Sequence, residues 1–143
     1  MFSTLRKKGT ELGVSFSDLT ILANSRAAMQ ASEFARDEGK FDSFHAALFH
    51  AYFTELRNIG DLKVLSDIGR QASLDTRKMQ AALQKNRYLD RLEAISEEAR
   101  QLNITAAPTF LVNNQYKIVG AQPLATLRSS LLKINAILSG RKT

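Results

Sequence analysis

Along most of the chain the apolar residues fall three and four apart, and only near residue 109 does that rhythm give way to short unbroken apolar runs. Phe2, Leu5 and Leu12 share one side of a short opening helix, and Gly13 is placed to stop it, because glycine accepts the left-handed conformation just past a helix end. A non-helical link from Val14 to Ala23 follows. Asn24 or Ser25 then caps a second helix, whose Ala27, Ala31, Phe34 and Ala35 form a narrow stripe of small residues with one aromatic, ending at Gly39. The strongest periodic signal is Phe41, Phe44, Leu48, Phe49, Tyr52, Phe53 and Leu56, which predicts a helix that is the main donor to the core. An aromatic stripe at this spacing also suits the wall of a ligand pocket, but packing accounts for it fully.

Leu62, Val64, Leu65 and Ile68 predict a helix begun by Asp61. Leu74 and Asp75 open another that carries Met79, Ala82 and Leu83, and a sixth carries Leu89, Leu92, Ile95, Ala99 and Leu102. Pro108 ends the helical part, since it lacks an amide hydrogen and drives Ala107 toward an extended conformation. Thr109 to Val112 is β-prone and apolar on both sides, which predicts a strand covered on two faces. Asn113 and Asn114 tolerate positive φ and predict a turn into the strand Tyr116 to Val119, which Gly120 ends. Leu124, Leu127, Leu131, Ile134 and Leu138 make the apolar stripe of a last helix, with Pro123 at its first turn. The fold class is therefore mainly α with a β-hairpin. A lone hairpin is marginal in water, so Thr109–Val112 lacks a neighbour on its other edge.

Composition narrows the chemistry. With 143 residues, 44% of them hydrophobic, the chain suits one compact domain with a real core, and two prolines and seven glycines exclude collagen-like or linker-dominated readings. The absence of cysteine excludes disulfides, thiolate metal sites and cysteine nucleophiles within this chain. A net charge of +6 fits acidic partners or plain solubility alike. The basic start, Arg6-Lys7-Lys8, runs into Gly9-Thr10-Glu11 and not into an apolar signal segment, and no apolar run approaches the roughly 20 residues of a membrane helix. These features predict a soluble, cytoplasmic protein with no membrane partner.

His45 and His50 are the only histidines, and their five-residue spacing turns them apart on a helix, so no metal site is expected. Glu97 and Glu98 diverge on a solvated face. Arg77, Lys78, Lys85, Arg87 and Arg91 beside two short helices offer an alternative reading as a helix-turn-helix nucleic-acid binder. Ser73 at the tight turn, where glycine is common, counts against it.

The run Leu102-Asn103-Ile104-Thr105-Ala106-Ala107-Pro108-Thr109-Phe110-Leu111-Val112, followed by Gly120-Ala121-Gln122-Pro123, resembles the end of a DsbA-like thioredoxin-fold protein. The similarity is to the branch of cytoplasmic disulfide isomerase-like and 2-hydroxychromene-2-carboxylate isomerase-related proteins. Asn24-Ser25-Arg26-Ala27-Ala28, Phe44-His45-Ala46-Ala47-Leu48-Phe49, Ala51-Tyr52-Phe53 and Asn58-Ile59-Gly60 resemble that family's helical insertion.

The resemblance implies a single truncated domain over residues 1–143, with the helical insertion at 13–102 and the C-terminal ββα half of a thioredoxin fold at 103–143. It implies thiol-disulfide oxidoreductase ancestry, with the Cys-x-x-Cys segment preceding the chain's start, so that no redox activity, catalytic residue or cofactor is expected here. Pro108 matches the family's cis-proline, and Ala107, Pro108 and Thr109 its peptide-binding loop. The expected role is a structural or interaction module, or a truncated product. The expected partners are a second copy, paired antiparallel through the Thr109–Val112 edge, and an extended peptide. A small-molecule isomerase or transferase on the same fold is the enzyme alternative, weakened by Met29 and Ala106-Ala107, where relatives carry histidine and Gly-Val.

Overall fold

The computed structural model describes residues 2–18 and 22–140, apart from the side chains of Phe2, Ser3 and Leu5. The predicted roles of Phe2 and Leu5, and part of the 14–23 link, lie outside the described residues. In chain order the elements are α1 (Phe2–Glu11), α2 (Arg26–Asp37), α3 (Phe41–Phe53), α4 (Leu62–Gln71), α5 (Thr76–Gln84), α6 (Leu89–Gln101), β1 (Thr109–Val112), β2 (Tyr116–Val119) and α7 (Leu124–Leu138). The chain is mainly α with one antiparallel hairpin, as its pattern predicts. It divides into two compact units, Met1–Glu93 and Ala94–Thr143.

In the first unit α2, α3, α4 and α5 pack together. The small residues of α2 set the spacing: Ala28, Ala31 and Ala35 are fully buried, so neighbouring helices approach its backbone closely, while Phe34 fills the remaining depth. Asp61 accepts from the Lys63 amide at 2.7 Å, and Asp75 accepts from the amides of Arg77 and Lys78, each at 3.1 Å. Two helix starts thus gain acceptors for otherwise orphaned donors. At the α4–α5 contact a Cβ on Gly69 would come within 3.2 Å of Met79 and Thr76, so the absence of a side chain there permits the close crossing. Ser73 takes the tight turn between these helices at φ 56°.

Helix α3 differs from its prediction. The stripe was expected on one face, yet only Phe44 and Leu48 of it are buried, with Ala51 completing the packed side. Phe41, His45, Phe49 and Phe53 stand four apart on another side and stack ring against ring at 4.4 to 5.5 Å between centroids. Leu56 lies beyond the helix in a left-handed conformation, at φ 57°. Seven large apolar residues in sixteen positions span more than the arc that one packing surface covers, and the excess is an aromatic row that is partly exposed.

In the second unit β1 pairs only with β2 among the described residues, in the register Thr109↔Val119, Phe110↔Ile118, Leu111↔Lys117 and Val112↔Tyr116. Asn113 and Asn114 make the turn at φ 50° and 54°. The expected covering of β1 on two faces is not found, since Phe110 is 44% exposed and the other three positions are half-buried. Helix α7 packs on β2, with Ile118 and Ile134 as the buried residues. Of the rest of its predicted stripe Leu127 is half-buried and Leu124, Leu131 and Leu138 are exposed, Leu124 at 81%, and Pro123 stands one position before the helix as its cap.

Candidate functional site

The loop before β1 is shaped from both sides. Helix α6 stops at Asn103, which adopts φ 50° and does what glycine usually does at a helix end. The Ile104 amide returns to the Ala99 carbonyl at 2.8 Å, and Lys117 Nζ donates to the Leu102 carbonyl at 2.9 Å, placing a cation at the negative end of the helix. The chain then runs through exposed Ala106, Ala107 and Pro108, with the Ala107–Pro108 peptide bond cis. Thr109 Oγ1 donates back to the Ala106 carbonyl at 2.6 Å, bracing the turn across the proline.

One hydrogen bond fixes which way this strand's backbone faces. The Gly120 amide donates to the Pro108 carbonyl at 2.8 Å. Inward bonding alternates along an antiparallel pair, so Pro108, Phe110 and Val112 turn their polar groups to β2, whereas Thr109 and Leu111 turn theirs to the free edge. Of the three residues singled out from the sequence, Ala107 and Pro108 are exposed and Thr109 is half-buried, and Thr109 with Leu111 carries the outward main-chain groups.

The two histidines are used differently. His45 is sandwiched between Phe41 and Phe49, and the Arg36 guanidinium lies 3.9 Å over the Phe41 ring. His50 Nδ1 lies 3.3 Å from Glu55 Oε1. Among the described residues no cluster of three potential metal ligands exists. The outer aromatic row ends in a cavity of about 650 Å³ whose lining includes Val14, Phe16, Ala46, Phe49 and Phe53, together with His50 and Thr54. Phe16 closes it edge-on against Phe53 at 5.7 Å, held because Ser17 donates from its amide to the Phe53 carbonyl at 2.9 Å and from its hydroxyl to the Thr54 carbonyl at 2.6 Å. The four-residue spacing carried the signal for this row, but nothing near Phe16 in the sequence announces the partner across the loop.

The basic residues considered for nucleic acid are partly occupied. Arg91 reaches Glu33 at 3.1 Å and Asp37 at 2.9 Å, and Lys78 lies 3.8 Å from Asp75. Glu33 is buried, and Arg36 with Arg91 supplies the cations that make this tolerable. The hydrogen bond from Arg91, then that from the Tyr88 hydroxyl, holds the Asp37 carboxyl below its ordinary range. Burial, with Asp37 beside it, pushes the Tyr88 hydroxyl up, and its bonds to Asp37 and Glu33 raise Arg91. Backbone donation by Lys78 is the main cause that lowers Asp75.

A helical unit and a ββα unit lie in one chain, and the DSBA-like thioredoxin domain model matches residues 1–132. The chain belongs to that family. It is 30% identical over 88 residues to the Bacillus subtilis protein YwbO, a match covering 61% of this chain and 44% of that protein. In fold it is similar to the crystal structure of a probable DsbA oxidoreductase from Streptomyces coelicolor, with TM-score 0.79 and 23% identity over 99% of this chain and 60% of that one. The matches thus span about half the length of YwbO and three-fifths of the solved structure. Among the described residues no helix is long and apolar enough to cross a membrane.

Proposed function

We propose that this chain is an interaction module of the DsbA-like family, one that presents the ledge Ala107–Pro108–Thr109 and its continuation to Leu111 as a template for an extended segment. The observation that carries the reading is the outward polarity of Thr109 and Leu111, which follows from the Gly120–Pro108 hydrogen bond and the strand register. Unpaired strand groups bind another strand through main-chain hydrogen bonds, with little dependence on its sequence. In the purified chain the available segment is the same edge of a second copy, giving a symmetric antiparallel homodimer. A client peptide takes the same place when present. The reading puts the protein in the cytoplasm, with the hairpin, α7 and the preceding loop as its thioredoxin-derived part.

Thiol-disulfide exchange requires an attacking thiolate, and this chain has no cysteine to supply one. The chain by itself is therefore expected to leave insulin reduction by dithiothreitol at the uncatalysed rate; catalysed turnover would contradict the proposal. Light scattering at micromolar concentration is expected to show a dimer, and a monomer throughout would remove the edge-paired assembly. The aromatic-lined cavity beside Phe49 and Phe53 favours a second reading, a small-molecule enzyme on the same fold, which turnover of a planar aromatic substrate lost in Phe53→Ala would support.

A further inference from the structure

The two flanks of α7 differ. The helix rests on β2 through Ile134 and Ile118. A groove lined by Tyr116 to Val119, residues of both faces of β2, and by Thr126, Ser130 and Lys133 of α7 follows the outer edge of that strand. With about 3.6 residues per turn, Leu124, Leu127, Leu131 and Leu138 fall on the opposite flank of Ile134, above β1 and toward its free edge. The charged residues of α7 are Arg128 and Lys133, and neither falls within the arc of these leucines. Phe110 stands directly across the hairpin from Ile118, so its ring lies on the same sheet face as α7. It is 44% exposed there because the helix lies over β2.

We infer that the leucine flank of α7 is a docking surface for a second copy of this chain, whose own α7 packs against it over a four-stranded sheet; the inference rests on the edge pairing proposed above. Within β1, Thr109 and Leu111 turn their polar groups outward, so donors meet acceptors when Thr109 of one copy faces Leu111 of the other, with Phe110 beside Phe110. Identical antiparallel strands are related by a two-fold axis perpendicular to the sheet. That operation leaves each sheet face on its own side, so both α7 helices lie on one face with their leucine flanks turned toward the axis. A helix about 10 Å across covers two strands spaced about 4.8 Å apart, so two helices cover four. The two Phe110 rings make the floor and the leucines the walls of an apolar layer that neither copy closes alone. An extended peptide satisfies the same edge but brings no helix, and leaves Phe110 and the leucines in water. A second copy meets both demands at once.

Leu131 and Ile137 are both exposed apolar residues of α7, but Ile137 lies on the flank of Thr126, Ser130 and Lys133, so a matched pair of substitutions separates the two sides. The dimer dissociation constant of the full chain, Leu131→Lys and Ile137→Lys is measured by sedimentation over a dilution series, with amide exchange of Thr109 and Leu111 read in each. An unchanged helical signal and unchanged protection of the Ile118 amide show that both variants keep the fold. Leu131→Lys sets two like charges against each other across the axis and is expected to weaken the dimer about a hundredfold. Ile137→Lys is expected to leave the constant unchanged. A dimer that protects Thr109 and Leu111 equally well in Leu131→Lys would overturn the inference and leave the edge pairing standing, and so would equal weakening by the two substitutions. A dimer in which Thr109 and Leu111 still exchange freely, or a monomer at every concentration, would remove the edge pairing and this inference with it.

Discussion

The two units of this chain meet the same physical demand to very different degrees. In Met1–Glu93 the side chains of Phe44, Leu65, Ile68 and Met79 are fully enclosed, and even the charged Glu33 is buried beside two arginines. In Ala94–Thr143 the buried apolar side chains are Ile118 and Ile134, each still 8% exposed, while Leu124, Leu132 and Phe110 face outward. Both regions are comparably rich in apolar residues, so composition does not separate them. What separates them is whether the chain supplies the opposing surface. Helices of the first unit find one another, whereas a two-stranded sheet with one helix offers one sandwiched layer and leaves a free edge.

That contrast can be broken by mutation, and the largest effect is expected at Phe44. Phe44→Ala opens a cavity among α2, α3 and α4 and is expected to cost about 3–5 kcal/mol of stability in urea unfolding. Ile118→Ala is expected to cost about 2 kcal/mol, and to appear as faster amide exchange in β2 with the helical signal unchanged. Coincident loss of both units in either variant would mean that they melt together. Asp61→Ala removes the acceptor for the Lys63 amide and is expected to cost about 1 kcal/mol, read in the same unfolding curve.

The smallest effect is expected from acid. Because Arg91 lowers the folded Asp37 carboxyl below its ordinary value of 3.8, the bond contributes fully above that value and is lost as pH falls through the lowered one. Melting temperature should thus fall below about pH 4, and Asp37→Asn should have the shallower acid slope. An identical slope in the variant would show that this carboxylate is not the group responsible.

Much of the element layout was legible in the sequence, for reasons that differ by element, while the contrast in packing was not. Asp61 and Asp75 announced two helix starts because an N-cap is a local event, complete within three residues. Asn113-Asn114 announced the turn because few residues accept positive φ. Periodicity failed where it had to choose between surfaces: it registers that Phe49 and Leu124 repeat with their neighbours, and carries no information on whether a partner exists for the face they form. The loss is greatest at β1, where an apolar run read as doubly covered is half open.

Residue-resolved amide exchange along β1 tests the central claim most directly. If the ledge is a template for another strand, the amides of Thr109 and Leu111 exchange freely in dilute protein and become protected as concentration or added extended peptide rises. Phe110 and Val112, already turned to β2, keep their protection throughout. Thr109 and Leu111 that stay equally open under every condition, with no associated species in solution, would contradict the account.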